Sequence, residues 1–384
     1  MAGTIRDFTD VLAAASAAME EGRIAGEELL ASPSRVWRSL MRENPRFRSF
    51  GTLTYLLSVA HATLDEQPTR AYELTAAVLR YVDLAEGPTH AYTVHLRALA
   101  RKEYGQALGA TDDLQGALAA IQESIAIYDE AASGLVFQAS VTRLAEARIR
   151  RQLGDTEGAL QITRSCIRAF EEYASAEYLV ISRMIEASIL FSCHRYEEAM
   201  ATFVQLAEAA EQQNDRSTLA RALQNTAACA RVLGDVATAR ELYGRALPIF
   251  EELNLATEIP RVQWLHALCC DTEGRTHEAI SELFKARAMF LHLGQNVDAA
   301  TVAMDIIRIK FENDEDVTPL CAELVRTLTA AGLTQNAIEA LAYLREQSRH
   351  RSLTVADIGR ARTYFVELKK RPTALFLQAK ESEG

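Results

Sequence analysis

The feature that most constrains the fold of this chain is a short motif that recurs every 40 residues. Its four copies are QLGDTEGAL (152–160), CHRYEEAM (193–200), LGDVATAR (233–240) and EGRTHEAI (273–280). They share a turn position (Gly154, His194, Gly234, Gly274) and an alanine five residues later (Ala159, Ala199, Ala239, Ala279). A repeat of this length with a turn between two apolar-periodic segments is typical of a helical solenoid. We therefore expect one array of antiparallel helix pairs.

The turn residues explain how each pair of helices is joined. A glycine directly after a helix takes the left-handed conformation, where a side chain costs about 1 kcal/mol. Asp155 and Asp235 follow such glycines and are expected to cap the next helix by accepting its free N–H groups. His194 replaces glycine in one copy, and we expect it to adopt the same left-handed conformation at some cost. The repeated alanine predicts a close crossing of the two helices.

Apolar periodicity predicts helix pairs on both sides of the motif. The predicted pairs are 50–64 with 68–82, 89–109 with 112–130, 135–153 with 156–172, 177–193 with 196–211, 215–233 with 236–252, 257–273 with 276–292, 295–312 with 318–331, and 334–349 with 353–369. Before them, residues 4–31 predict one or two helices broken near Gly22 to Gly26, and 35–42 a short helix. We divide the chain into N-terminal capping helices (1–48), a solenoid of about eight pairs whose last two are degenerate (49–371), and a polar tail (372–384).

The segment from Arg221 to Phe250 resembles the tetratricopeptide repeat family. The residues that match the family pattern are Ala227, Gly234, Asp235, Ala239, Tyr243, Ala246 and Pro248. The family tryptophan is missing, and the 40-residue period exceeds the usual repeat of about 34. The resemblance covers roughly residues 50 to 370 and is strongest from 110 to 292. The long helices look like those of bacterial repeat proteins, including cytoplasmic receptors for signalling peptides in Gram-positive bacteria.

This resemblance implies an all-α, right-handed superhelical solenoid whose first helices line a concave groove that binds a peptide. Placed on the family pattern, the groove positions are Arg148, Arg151, Ser188, Arg221, Gln224, Asn225, Arg231, Arg261, Trp264, Asp305 and Arg308. Asparagine can both donate to and accept from a peptide backbone, and arginine offers a planar fork for carboxylates. A tryptophan can stack on a ligand side chain. The alternative is that these are ordinary solvated positions of amphipathic helices.

Composition and charge favour a cytoplasmic protein. The formal net charge is −11, which disfavours a nucleic-acid-binding surface over most of the molecule. Six cysteines are scattered without a CxxC pair, as expected for packing residues in a reducing compartment. The apolar stretch Val11 to Met19 is short and has acidic flanks, so we do not expect a signal peptide. No stretch reaches the roughly 20 apolar residues of a membrane span.

No catalytic, metal or cofactor motif stands out. His277-Glu278 lacks the second histidine of a zinc protease, and Cys193-His194 occupies a repeat turn. The glycine-rich loops that hold phosphates are absent from the sequence. We therefore expect a non-enzymatic scaffold that binds a peptide or protein segment, in bacterial regulation or signalling.

Two alternatives place function at the ends of the chain. The first is a structural homodimer that assembles through its terminal helices, with Val11 and Leu12 on a candidate apolar surface. The second concerns basic residues, which form a solvated cap or contact an acidic partner or nucleic acid. These basic residues are Arg35, Arg38, Arg42, Arg46 and Arg48 near the N-terminus and Arg345, Arg349, His350, Arg351, Arg360, Arg362, Lys369, Lys370 and Arg371 near the C-terminus. The N-terminal segment lacks a helix-turn-helix pattern, so direct DNA binding is not expected.

Overall fold

The protein is entirely helical over the part that its computed structural model describes. The described residues are 2–64, 67–131, 135–330, 335–370 and 376, and the side chains of 2–15, 336, 369 and 370 lie outside this description. These residues form eighteen α-helices, two short 3-10 helices and no strand. The chain divides into two compact units, Met1–Arg195 and Tyr196–Gly384. The predicted all-α class is confirmed.

The first unit contains the first nine helices of the described chain. They are α1 (Ala2–Leu30), α2 (Ser34–Glu43), α3 (Phe50–Thr63), α4 (Pro68–Leu79), α5 (His90–Ala110), α6 (Leu114–Glu130), α7 (Val136–Gln152), α8 (Thr156–Glu172) and α9 (Ala176–Ser192). The 3-10 helices are Pro45–Arg48 and Val82–Leu84. From α3 onward each helix packs on the next, and the first helices of successive pairs, α5 with α7 and α7 with α9, also touch each other.

The second unit contains the remaining helices. They are α10 (Tyr196–Gln212), α11 (Arg216–Val232), α12 (Val236–Glu252), α13 (Ile259–Thr272), α14 (Thr276–His292), α15 (Asn296–Glu312), α16 (Thr318–Ala330), α17 (Gln335–Arg349) and α18 (Val355–Lys370). Sequential packing holds from α10 to α15. The helix bounds agree with those predicted from the sequence to within about three residues.

The turns repeat at half the period of the 40-residue motif. A left-handed residue follows each of nine successive helices, and these residues are 20 positions apart. These residues are Gly154, Ala174, His194, Asn214, Gly234, Asn254, Gly274, Gly294 and Asp314. At Gly154 the amide donates to the carbonyl of Arg151, and the next amide, of Asp155, donates to Arg150. This pair of bonds is the Schellman arrangement that satisfies the last carbonyls of a helix. Eight of these nine helices have 17 residues, and α13 has 14.

The predicted conformations at the turns are confirmed. His194 has φ 60°, and Gly154 and Gly234 have φ 90° and 88°. Asp155 Oδ1 accepts from the amide of Gly158 at 3.0 Å, and Asp235 Oδ1 accepts from the amide of Thr238 at 3.1 Å. Each aspartate therefore caps the following helix, as its position after the turn residue predicted.

The core of each repeat is built on the alanine of the motif and the residue four positions later. Ala239 and Tyr243 are fully buried in the second unit, together with Phe250. The Tyr243 hydroxyl has no hydrogen-bond partner among the described residues, and burial raises the pKa of Tyr243 to about 12. The small side chain of Ala239 lets the two helices approach closely, and the Tyr243 ring fills the space beside this contact.

Helix α1 is continuous through the two glycines at which a break was considered. A Cβ on Gly22 would lie 2.2 Å from the backbone carbon of Gly51 on α3, and one on Gly26 would lie 2.3 Å from the Tyr55 ring. The glycines therefore serve the close crossing of α1 and α3 rather than a chain break. Whether residues 1–48 act as a cap stays a prediction.

The arginine-rich segment 35–48 is organised around buried aromatic side chains. Trp37 and Phe47 are 2% and 4% exposed. Arg46 pairs with Glu28 on α1, and the guanidinium carbon of Arg48 lies 5.8 Å from the centre of the Tyr81 ring. The segment thus packs as part of the first unit, and three of its five arginines have partners within that unit, since Arg42 also pairs with Glu43.

The last four helices depart from sequential pairing. Helix α15 packs on α18 as extensively as on α14, and α16 packs on α17 between them. The reason is that α15 is buried on every side from Ala299 to Ile307, so two neighbours cannot cover it. Ile358, Ala361 and Phe365 of α18 supply the missing apolar surface and are at most 1% exposed. Beyond residue 370 the structure describes Phe376, whose ring packs against Tyr343 and Tyr364.

No helix in the described ranges is both long and apolar enough to cross a membrane.

Candidate functional site

The predicted groove residues all lie on first helices of their pairs, and we call the exposed side of α7 and α9 in the first unit, and of α11, α13 and α15 in the second, the first-helix face of that unit. Arg148 and Arg151 lie on α7 and Ser188 on α9 in the first unit. The other eight lie in the second unit: Arg221, Gln224, Asn225 and Arg231 on α11, Arg261 and Trp264 on α13, and Asp305 and Arg308 on α15. The 40-residue period places Arg148, Ser188 and Arg308 at the same helical position. The surface therefore repeats along the chain.

Two arginines of α7 carry charges that the first unit does not neutralise. Their neighbour Arg150 donates to Glu146 and to Asp155, both at 2.8 Å. Arg148 is exposed, and within the described residues neither Arg148 nor Arg151 pairs with a carboxylate. Burial lowers the pKa of Arg151, and the charge of Arg148 lowers it further. The face of α7 opposite to Arg150 thus presents two like charges that an anion would stabilise.

A surface cavity adjoins Arg148. It has a volume of about 220 Å³ and is lined by Leu64, Gln106, Gly109, Ala110, Ala145, Arg148, Ile149 and Gln152. The lining residues come from α5 and α7 and from the residue after α3, so the cavity lies along first helices. Its lining is about equally polar and apolar, with two amides and one guanidinium among the side chains.

On α9 the predicted site residue has a local role. Ser188 is half-buried, and its hydroxyl donates to the carbonyl of Met184 at 2.8 Å. Ser192, one turn further along α9, accepts a long hydrogen bond of 3.4 Å from Nη1 of Arg151. Sequence reasoning missed Ser192, which ties α7 to α9 through a predicted groove residue.

Helix α11 presents an open polar surface. Arg221 is exposed and Gln224 half-buried, and neither makes a side-chain hydrogen bond or ion pair with another described residue. Asn225 is half-buried beside them, one helical turn from Arg221. Arg231 is exposed near the end of α11, where its charge opposes part of the rise in the pKa of Tyr243. Arg221, Gln224 and Asn225 form one contiguous patch of donors and acceptors.

The predicted site residues of α13 and α15 meet in a buried polar cluster. Trp264 Nε1 donates to Oδ2 of Asp305 at 2.8 Å, and Asp305 is only 2% exposed. Arg362 of α18 donates from Nε to Oδ1 of Asp305 at 2.6 Å. Arg308 pairs with Asp271 at 2.8 Å and with Glu312 at 2.6 Å. These side chains are already paired within the unit, in contrast to Arg221 and Gln224 on α11.

The remaining predicted residue, Arg261, is exposed and pairs with Glu258 on the preceding turn. The basic residues of the last two helices are also largely paired in the chain. Arg345 and Arg349 contact Glu346, and Arg360 contacts Asp357. Sequence reasoning placed Arg362 among these terminal basic residues and did not connect it with Asp305. Lys369, Lys370 and Arg371 lie outside the described side chains, as do Val11 and Leu12.

The buried thiols are poorly suited to nucleophilic chemistry. Burial raises the pKa of Cys166 and of Cys269 to about 11 and that of Cys321 to about 12. A thiol with such a pKa stays protonated near neutral pH, and the thiolate is the reactive form. In the described part of the chain, no group of three or more His, Cys, Asp or Glu side chains is arranged to hold a metal ion.

Comparison with solved structures establishes the fold. The apo form of RapI aligns over 93% of this chain and 98% of its own, with 14% identity and a TM-score of 0.55. The apo form of the quorum sensor NprR from B. thuringiensis aligns over 92% and 98%, with 14% identity and a TM-score of 0.57. A Rap protein complexed with Competence and Sporulation Factor aligns over 84% and 98%, with 12% identity and a TM-score of 0.51. No sequence-family model and no curated protein sequence matches the chain.

Proposed function

We propose that this chain, whose helix pairs have the tetratricopeptide fold, is a non-catalytic cytoplasmic regulator that binds a peptide or a segment of a partner protein on its first-helix face. The observation that carries the proposal is the unneutralised charge of Arg148 and Arg151. The chain has a net charge of −11, so its carboxylates outnumber its basic groups, and Arg150 pairs with two of them. Two neighbouring guanidinium groups without a carboxylate partner are unfavourable for stability, and an anionic group of a ligand would stabilise them.

The chemistry of the patch on α11 supports the same function. Gln224 carries an amide that can donate and accept, which matches the alternating N–H and C=O groups of a peptide backbone. Arg221 adds a charge that can engage a carboxylate in a bidentate manner. Among proteins of this fold, NprR is a quorum sensor and a Rap protein has been solved with Competence and Sporulation Factor. Those names support a regulatory role for the scaffold.

The test is a selection from a displayed library of random peptides against the intact protein. Enriched peptides are then titrated against the native protein and against Arg148→Gln with Arg151→Gln. Because hydrogen bonds to charged groups contribute about 1.5–3 kcal/mol, we expect the affinity to fall at least tenfold. Arg168→Gln on α8 is the matched control, since Arg168 is exposed and lies on a second helix. Equal affinities for the native protein and the α7 variant, or failure to enrich any peptide, would contradict the proposal.

A structural role through homodimerisation is the second candidate. Exposed apolar side chains on α1, Met19 at 37% and Ile24 at 51%, favour it. Sedimentation velocity of the native protein and of Ile24→Lys distinguishes the two, because a dimer built on α1 would dissociate in the variant.

A further inference from the structure

A small apolar cavity in the first unit is lined by none of the residues predicted for the groove. It has a volume of about 330 Å³ and is enclosed by α1, α3, α5 and Pro88. Its walls include Met19, Phe50, Leu96 and Leu99, and among the described side chains no charged one lines it. This volume falls at the lower end of the range for small-molecule pockets, and mostly apolar walls with few polar groups are typical of them.

The mouth of the cavity exposes large apolar side chains. Tyr92 is 51% exposed and Met19 37%. The rings of Phe50 and Tyr92 stand edge to face, with their centres 5.9 Å apart and their planes at 85°. Aromatic rings in this arrangement present both an edge and a face to a third ring. A flat apolar ligand would therefore remove exposed surface from water and continue an existing aromatic contact.

One polar group on the wall has a defined hydrogen-bonding role. Nδ1 of His95 lies 2.8 Å from the Tyr128 hydroxyl, which is buried. Burial raises the pKa of Tyr128 and lowers that of His95, so the phenol is protonated and the imidazole neutral near pH 7. The phenol proton needs an acceptor, and Nδ1 is the one within reach. The imidazole proton then resides on Nε2, and this N–H group is the remaining donor of the ring that a ligand can use.

We propose that this cavity binds a compact, uncharged aromatic molecule that carries one hydrogen-bond acceptor, such as a ketone oxygen, for Nε2–H of His95. The apolar walls provide most of the affinity, and the single donor selects the orientation. Charged ligands are disfavoured, because a buried charge without a partner is costly and the walls offer none. This site does not depend on peptide binding at the first-helix face.

The probe for the test is 6-propionyl-2-(dimethylamino)naphthalene, a neutral aromatic ketone whose emission shifts to the blue in apolar surroundings. We expect saturable binding of one probe per chain. Ser16→Trp places a large ring at the rim from an exposed helical position and should weaken binding at least tenfold. Ala17→Trp, on the adjacent exposed position, is the matched control and should bind as the native protein does.

The role of His95 is tested with a second probe, 2-(dimethylamino)naphthalene, which has the same rings without the ketone. In His95→Phe the ketone should lose about fivefold more affinity than the second probe does, the equivalent of one hydrogen bond. Circular dichroism verifies the fold of each variant. Binding unaffected by Ser16→Trp would overturn the site, and equal losses for the two probes in a folded His95→Phe would overturn the assignment of the donor.

Discussion

Replacing Arg362 with methionine should destabilise the second unit by about 3 kcal/mol or more. The Asp305 side chain is 3% exposed and that of Arg362 37%. Asp305 accepts from Nε of Arg362 at 2.6 Å, from its Nη2 at 3.4 Å, and from Nε1 of Trp264 at 2.8 Å. Methionine keeps the aliphatic stem that packs on α15 but leaves a buried carboxylate with one neutral donor. Breaking a buried pair in this way costs about 3–5 kcal/mol.

Replacing the other partner, Asp305, should lower the stability much less. Asp305→Asn keeps an acceptor for Trp264, and the half-exposed guanidinium of Arg362 can turn towards water. We expect a loss of about 1–2 kcal/mol. Adding Asp305→Asn to Arg362→Met should therefore restore part of the stability, because it removes the stranded charge.

The assay is equilibrium unfolding in urea, followed by circular dichroism at 222 nm. The fluorescence of Trp264, one of two tryptophans, gives a probe within the cluster itself. The free energy of unfolding is obtained by linear extrapolation for the native protein, both single variants and the double variant. A double variant that is less stable than Arg362→Met alone would refute the claim that the buried carboxylate of Asp305 depends on Arg362.

Three further predictions concern backbone strain, acid stability and helix crossing. Ala174 has φ 50°, so Ala174→Gly should raise the free energy of unfolding by about 1 kcal/mol. Gly234→Ala should lower it by a similar amount, although an added Cβ would meet no atom within 4 Å. Unfolding in urea measures both changes. Burial raises the pKa of Glu103, but two basic neighbours outweigh it and hold the pKa below its usual range. Ionised Glu103 therefore adds stability above about pH 4.3 that is lost as the pH falls through its folded pKa, and the gap in unfolding free energy between native protein and Glu103→Gln should shrink there. Gly22→Ala should lower the melting temperature by several degrees, because its Cβ would lie 2.2 Å from Gly51; an unchanged melting temperature would contradict the close crossing.

The regular part of the fold was accessible from the sequence because its signals are local. Helix α12 was predicted at 236–252 and spans Val236–Glu252. Gly234 ends the preceding helix and Asp235 starts this one, so both boundaries are determined by neighbouring residues. The 20-residue spacing was missed, because alternate turns carry Ala174, Asn214 or Asn254 instead of glycine. Asparagine adopts the left-handed conformation more readily than most residues, so Asn214 and Asn254 suit these turns, whereas Ala174 adopts it against its preference.

The C-terminal cluster was not accessible for the opposite reason. Asp305 and Arg362 are 57 residues apart, and no periodic pattern specifies which helix covers α15. An apolar stripe tells which face of a helix is buried but not against which partner. The arginines of α7 were only partly accessible. The repeat pattern identified their positions, but the ion pairs that distinguish Arg150 from Arg148 and Arg151 depend on the three-dimensional structure.

The most direct test of peptide binding on the first-helix face is photocrosslinking from a single position. A p-benzoylphenylalanine at Gln152 on α7 is compared with one at Arg168, an exposed position on α8, each in the presence of an enriched peptide. The account predicts a crosslinked peptide from position 152 that excess unlabelled peptide suppresses, and none from position 168. Crosslinking from position 168 alone would place the ligand on the second helices and contradict the account.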